Sequence, residues 1–235
     1  MPVGPTINVL ATLIGSLIGA SLGHYVPEKI KDNLPQAFGL IAFSLGIPLV
    51  VSMTHMLSAV LAILLGLIIG ELLNLEKKLT SLTNKLKRSL EKRLTVRSGN
   101  LSKEEFMTQF MAVFVLFSAS GLGVIGAMGE GMTGDSSILI LKATLDFFTA
   151  IIFGAKLGHL VSLTAISQGI VMFTLYLLGA QIMPLTTPEM LSNFSAVGGM
   201  IMLATGLQIM GIKEFSITNF LPALFIVMPL FYLLA

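Results

Sequence analysis

Lys142 and Asp146 stand four residues apart in the apolar stretch Ile138–Gly158. On a helix that spacing lets the two side chains meet. Thr149 and Lys156 fall on the same side, all four within roughly 80° of one face at 3.6 residues per turn. Asp146 lies close to the middle of the stretch. A carboxylate at the centre of a membrane span costs about 2.5–3.5 kcal/mol on insertion scales, so it faces a cavity or a partner. The chemistry such a group can do is to bind a cation or a proton in a water-lined pathway, with the Lys142 ammonium tuning it. The structural alternative is an ion pair that pins helices together.

Other polar residues sit inside apolar stretches. Asn8 and Thr6 lie one to two turns into the first, Glu71 near the end of the third, and Gln168, Thr205 and Gln208 in or beside later ones. An amide or hydroxyl in lipid often only bridges two helices, at around 0.6 kcal/mol. Asp146, Lys142, Asn8, Thr149 and Gln168 form the candidate ion- or solute-binding set. His24, His55 and His159 fall at the ends of stretches without the paired spacing of a metal site, and cysteine is absent. No phosphate-cradling glycine loop and no nucleophile-and-base constellation occurs, so neither an enzyme nor a cofactor is expected.

The elements that must hold these residues are membrane helices. Of 235 residues, 54% are apolar and 11% charged, outside the range of water-soluble domains. Eight stretches are long enough to cross about 30 Å of hydrocarbon: Val3–Gly23, Gln36–Met53, Met56–Leu75, Phe106–Gly129, Ile138–Gly158, Val161–Ile182, Phe194–Ile212 and Asn219–Ala235. The expected fold is all-α, a single polytopic transmembrane bundle over residues 1–235 with seven or eight spans. Breakers suggest broken helices: Gly46-Ile-Pro48 in the second span and Ser118 to Gly123 in the fourth. Ser167-Gln168-Gly169 interrupts the sixth, Gly198-Gly199 opens the seventh, and Pro222 and Pro229 punctuate the eighth. Discontinuous helices whose freed backbone groups face a midplane site are a transporter device.

Charge sets the orientation. The only long polar stretch, residues 76–105, holds nine of the fourteen Lys and Arg, and basic loops stay cytoplasmic. Counting crossings from it puts Lys29, Lys31, Lys156 and Lys213 on the same side and the N-terminus outside. The loops then outside, Thr54–His55, Glu130–Ser137 and Met183–Asn193, carry no Lys or Arg. Leu75, Leu79, Leu82, Leu86, Leu90 and Leu94 recur every three or four residues through the basic stretch. They predict an amphipathic helix lying on the inner leaflet against anionic head groups, or alternatively one packed on the bundle. Ser102-Lys-Glu-Glu105 has the pattern of a capping box opening the fourth span. Interleaved aromatics are lacking, so nucleic acid is not an expected partner.

The chain repeats itself weakly. Gly19-Ala-Ser-Leu-Gly-His24 returns as Gly154-Ala-Lys-Leu-Gly-His159, and Asn33, Gly39 and Gly46 as Asn193, Gly199 and Gly206. Spans one to three would thus match spans five, seven and eight. A consistent repeat needs one segment that enters and leaves on one side, and the sixth is the best candidate. Gly15, Gly19 and Gly23, like Gly66 and Gly70 and like Gly154 and Gly158, are spaced by four. Such close-packing faces serve bundle cohesion or a homo-oligomer.

Gly4-Pro-Thr-Ile-Asn8, Gly70-Glu71, Gly131-Met-Thr-Gly-Asp135, Lys142-Ala-Thr-Leu-Asp146, Gln168-Gly169, Ala196-Val-Gly-Gly199 and Asn219-Phe-Leu-Pro-Ala-Leu224 come in that order over nearly the whole chain. Together they resemble a prokaryotic membrane family, the YqgA/YdfK-like proteins (domain of unknown function 554). A proline follows Gly4, and Phe147 follows Asp146 where glycine is expected. The resemblance implies an integral inner-membrane protein of transporter type, without naming a substrate. The expected function is a small secondary transporter or channel-like protein for an ion or small polar solute. The alternative is a non-transporting scaffold or regulator whose basic amphipathic helix recruits a partner, a role that deleting Leu79–Leu94 would abolish.

Overall fold

A computed structural model describes the backbone of residues 2–22, 25, 27–93, 103–118 and 120–235. Among the described residues every regular element is helical. The helices are α1 (Val3–Leu22), α2 (Glu28–Val51), α3 (Met56–Leu72), α4 (Leu75–Arg93), α5 (Lys103–Ser118), α6 (Gly121–Thr133), α7 (Ser137–Leu157), α8 (Thr164–Ile182), α9 (Pro188–Ile209), α10 (Ile217–Phe220) and α11 (Pro222–Leu234). A tight 3-10 segment, Gly158–Leu163, joins α7 to α8.

Side-chain placement along α1 and α3 is the reverse of a water-soluble core. In α1 the buried residues are Gly4, Pro5, Asn8, Thr12, Gly15, Ser16 and Gly19, while Leu10, Ile14 and Leu17 face outward. In α3 the buried set is Ser58, Ala59, Ala62, Gly66 and Gly70, with Leu64 and Ile68 outside. Small residues inside and large apolar ones outside suit lipid, where close packing and interhelical hydrogen bonds hold helices together. Five apolar stretches are long enough to span: Val3–Leu22, Gln109–Thr133, Ser137–Leu185, Pro188–Ile209 and Ile217–Leu234. A sixth, α3 with the start of α4, bends by 48°, and Gln36–Val51 is shorter. The chain is a polytopic α-helical membrane protein.

Ser137–Leu185 is a hairpin. A straight helix would hold residues 22 positions apart at about 33 Å, yet Gln168 on α8 donates a hydrogen bond to Asp146 on α7. The chain reverses through the 3-10 segment, which Gly158 opens at φ +70°, a conformation glycine adopts without steric cost.

The contacts gather in two compact units, one of residues 1–31 and 79–179 and the other of 32–78 and 180–235. In the first, α1 lies along α7 in the same direction. A Cβ on Gly19 would overlap the backbone of Ile151, and one on Gly154 would overlap that of Ser16. In the second, α2 runs opposite to α9. Gly39 meets the carbonyl of Gly206, and Gly46 that of Gly199, with each relation also holding in reverse. Gly66 and Gly70 of α3 seat the backbone of Ala223 and Asn219 in the same way.

Several sequence expectations need correction. The break in the fourth span is real: α5 stops at Ser118 and α6 starts at Gly121, where the Ser120 hydroxyl accepts from the Gly123 amide. Gly46-Ile-Pro48 does not interrupt α2, which continues to Val51. Ser167-Gln168-Gly169 does not interrupt α8 either; Ser167 and its neighbours remain helical, with the Ser167 hydroxyl on the Thr164 carbonyl. Gly198-Gly199 lies within α9, which Thr187 opens eleven residues earlier by capping the Met190 amide. In each case the small residues serve helix contact. Pro222 does start a new helix after a break at Leu221, whereas Pro229 is carried inside α11. The polar turn before Gln36 adds to α2, which begins at Glu28. Helix α4 forms as expected, and its Leu86 packs on the cluster of Phe106, Met107, Phe110 and Val161. The proposed capping box at Ser102 lies outside the described residues.

Candidate functional site

Four of the five predicted site residues come together in the first unit. Lys142 and Asp146 project from one face of α7, Gln168 from α8 and Asn8 from α1. All are buried, Lys142 at 2% and Asp146 at 8% exposure, and Asn8 and Gln168 fully. The Lys142 ammonium pairs with Asp146 Oδ2. The Gln168 amide nitrogen donates to the same oxygen at 2.6 Å and also to Asn8 Oδ1. The Gln168 amide thus joins three helices, bonding α1 at Asn8 and α7 at Asp146.

The local sequence explains the geometry. The i, i+4 spacing on α7 brings ammonium to carboxylate, and the α7–α8 hairpin returns Gln168 to the level of Asp146. The close α1–α7 contact at Gly15 and Gly19 presents Asn8 to the same point. Gly123 makes room for Lys142: a Cβ there would sit 3.1 Å from Lys142 Cε.

Thr149 does not join the cluster. Its hydroxyl donates to the Leu145 carbonyl at 2.8 Å, within its own helix. Thr12 takes a place that sequence reasoning gave to no residue. It is buried one turn after Asn8, and its hydroxyl has no hydrogen-bond partner among the described residues. The same is true of Asn8 Nδ2 and Gln168 Oε1. Most buried polar atoms in proteins are bonded, so open atoms on the two amides beside an ion pair, with a third on Thr12 one turn along α1, mark a place suited to a polar ligand. What could have flagged Thr12 is its i+4 spacing from Asn8.

Glu130 is a second buried carboxylate that the sequence reading placed in a loop. It lies on α6 and accepts the amides of Val3 at 2.8 Å and Gly4 at 3.0 Å. Those amides open α1, so the carboxylate satisfies free N–H groups at the positive end of a helix dipole. Its role is to fix the start of the helix that carries Asn8 and Thr12. Among the described residues no group of three or more His, Cys, Asp or Glu is placed to hold a metal.

The family model described as Protein of unknown function (DUF554) matches residues 3–232. The chain belongs to this family. Uncharacterized protein YqgA of Escherichia coli (strain K12) is 47% identical over 230 residues, which cover 98% of this chain and 96% of that protein. Uncharacterized membrane protein YdfK of Bacillus subtilis (strain 168) is 24% identical over 227 residues, covering 95% and 93%. No solved structure matches the chain. The family resemblance read from the sequence therefore holds over residues 3–232, and the name of the second relative as a membrane protein agrees with the several apolar helices of this chain.

Proposed function

We propose that this DUF554 member is a small secondary transporter or channel-like protein for an ion or small polar solute. One observation carries the reading: a buried carboxylate–ammonium pair met by the Gln168 amide, itself bonded to Asn8, with unpartnered polar atoms on both amides. An ion pair serving only to hold helices would gain most from complete satisfaction of its neighbours. Open donors and acceptors beside the pair suit a site that exchanges partners. In that site Asp146 is the binding and coupling charge, Lys142 its resident counter-ion, and Asn8 and Gln168 line the path.

Helix breaks and an internal repeat support the same reading. The reciprocal glycine contacts relate α1 to α7 and α2 to α9 through local two-fold axes, as duplicated segments would. Repeat interfaces commonly hold transporter sites. The proposed setting is the inner membrane, with the N-terminus outside and residues 76–105 cytoplasmic beside anionic head groups.

The test is permeation in liposomes. The reconstituted protein is challenged with a panel of salts and small polar solutes, and light scattering follows vesicle volume. The expected result is accelerated entry of a defined class, lost in Asp146→Asn. Flux that is unchanged in both Asp146→Asn and Lys142→Ala would show that the site is misassigned.

A further inference from the structure

The cluster around Asp146 carries a more specific chemistry, which rests on the ligand site proposed above. A single atom, the Gln168 amide nitrogen, bonds both Asn8 Oδ1 and Asp146 Oδ2. Two oxygens from different helices therefore converge on one point. Gln168 Oε1, on the same amide, is buried without a partner, and so is the Thr12 hydroxyl one turn from Asn8. Turning the Gln168 amide by half a rotation exchanges its nitrogen and oxygen, a change that keeps the side chain's shape. Three oxygens, Asp146 Oδ2, Asn8 Oδ1 and Gln168 Oε1, would then face one another, with the Thr12 hydroxyl one turn from Asn8 on α1. Oxygens alone repel at such range; a hard cation among them is held by all of them.

We propose that Asp146, Asn8, Gln168 and Thr12 form a binding site for a small alkali cation, for which the Lys142 ammonium is a built-in competitor. The charge decides the valence. One carboxylate balances one positive charge, whereas protein sites for divalent cations generally gather more anionic oxygen. Lys142 and an entering cation both require Asp146 Oδ2, and two positive charges at one buried carboxylate repel strongly. Cation entry therefore releases Lys142 from Asp146, and cation exit restores the ion pair. This supplies a coupling step using only groups that already touch.

Sodium is the probe. Thermal unfolding of the full chain in detergent is measured against sodium concentration, with N-methylglucamine holding ionic strength constant. Wild type should show saturable stabilisation by sodium. Lys142→Met should respond at lower sodium concentration, since the competitor is gone and the buried carboxylate lacks its counter-charge. Thr12→Val should fold and require about tenfold more sodium, the scale of one neutral polar contact. Lys142→Met combined with Asp146→Asn should not respond. The proposal is overturned if sodium stabilises neither wild type nor Lys142→Met beyond N-methylglucamine, or if the double variant responds as wild type does. Should sodium fail while a different solute stabilises wild type but not Asp146→Asn, the cation site falls and the ligand site stands. Should no solute distinguish wild type from Asp146→Asn, both fall.

Discussion

At the scale of single residues, a few buried groups carry consequences out of proportion to their number. Lys142 is nearly fully enclosed and holds Asp146. Removing one partner of a buried pair leaves an uncompensated charge, so Lys142→Met should destabilise the protein by about 3–5 kcal/mol in sodium-free buffer. Chemical or thermal unfolding in detergent measures it. Glu130→Ala strips the acceptor from two amides that open α1 and should cost about 1–2 kcal/mol, with hydrogen exchange rising first at the start of that helix. Asp135, between α6 and α7, behaves differently. Hydrogen bonds from the Ser137 hydroxyl and then the Ser137 amide hold its carboxyl below the usual range. The contribution is present above the unfolded pKa of about 3.9 and is lost as pH falls through the lower folded value. The thermal midpoint of Asp135→Asn should therefore fall less than wild type's between pH 5 and pH 3.

Much of the site was legible at this scale. An aspartate at mid-span with a lysine at i−4 needs no tertiary information to be noticed. Asn8 and Gln168 were legible as polar residues in apolar stretches. Their meeting was not: the turn between the fifth and sixth spans was read from the sequence, but which residues of α1, α7 and α8 share a level is set by how the helices pack. Thr149 shares the face of Asp146, yet a threonine in a helix can bond its own backbone, and spacing cannot tell which it does. Glu130 was hidden by a glycine-rich surround that reads as loop; in lipid the same glycines form a helix packed closely by others.

At the scale of elements, glycine placement organises both units. Gly19 and Gly154 let α1 and α7 approach at backbone distance, and Gly46 and Gly199 do so for α2 and α9. The nearest obstructing atom at each is backbone, which cannot swing aside as a side chain can. Gly19→Val and Gly199→Val should each destabilise by about 1–3 kcal/mol or more through overpacking. Gly134→Ala, at a left-handed helix end with open space around it, should cost about 1 kcal/mol through backbone conformation alone. Comparing unfolding midpoints of the three separates packing from conformation. Helix breaks were legible only where a cap or a proline at the first helical position accompanied them. Ser120 before Gly121 and Pro222 at a helix start are true breaks, whereas Gly46-Ile-Pro48 and Gly198-Gly199 are contact surfaces inside continuous helices. Small residues signal both, and the neighbouring helix decides between them.

At the scale of the whole molecule, eight apolar stretches, the amphipathic basic helix and the family resemblance could all be read from the chain, because bilayer thickness and side-chain periodicity act on sequence directly. The division of contacts into two units could not, since residues 1–31 group with 79–179 across the intervening spans. The proposed orientation rests on the positions of Lys and Arg and is open to a direct check. The chain has no cysteine, so single cysteines can be placed without background. Asn84→Cys should resist a membrane-impermeant thiol reagent applied from outside intact cells, and Leu185→Cys should react; the opposite pattern would invert the topology. The central claim is that the cluster at Asp146 binds a ligand, and a thermal-shift screen of purified wild type beside Asp146→Asn addresses it most directly. At 100 times its dissociation constant a ligand adds roughly 2.7 kcal/mol to the folded state. The account predicts saturable stabilisation of wild type by a defined class of ion or small solute, absent in Asp146→Asn. Stabilisation of equal size in the variant, or none by any solute in wild type, would contradict it.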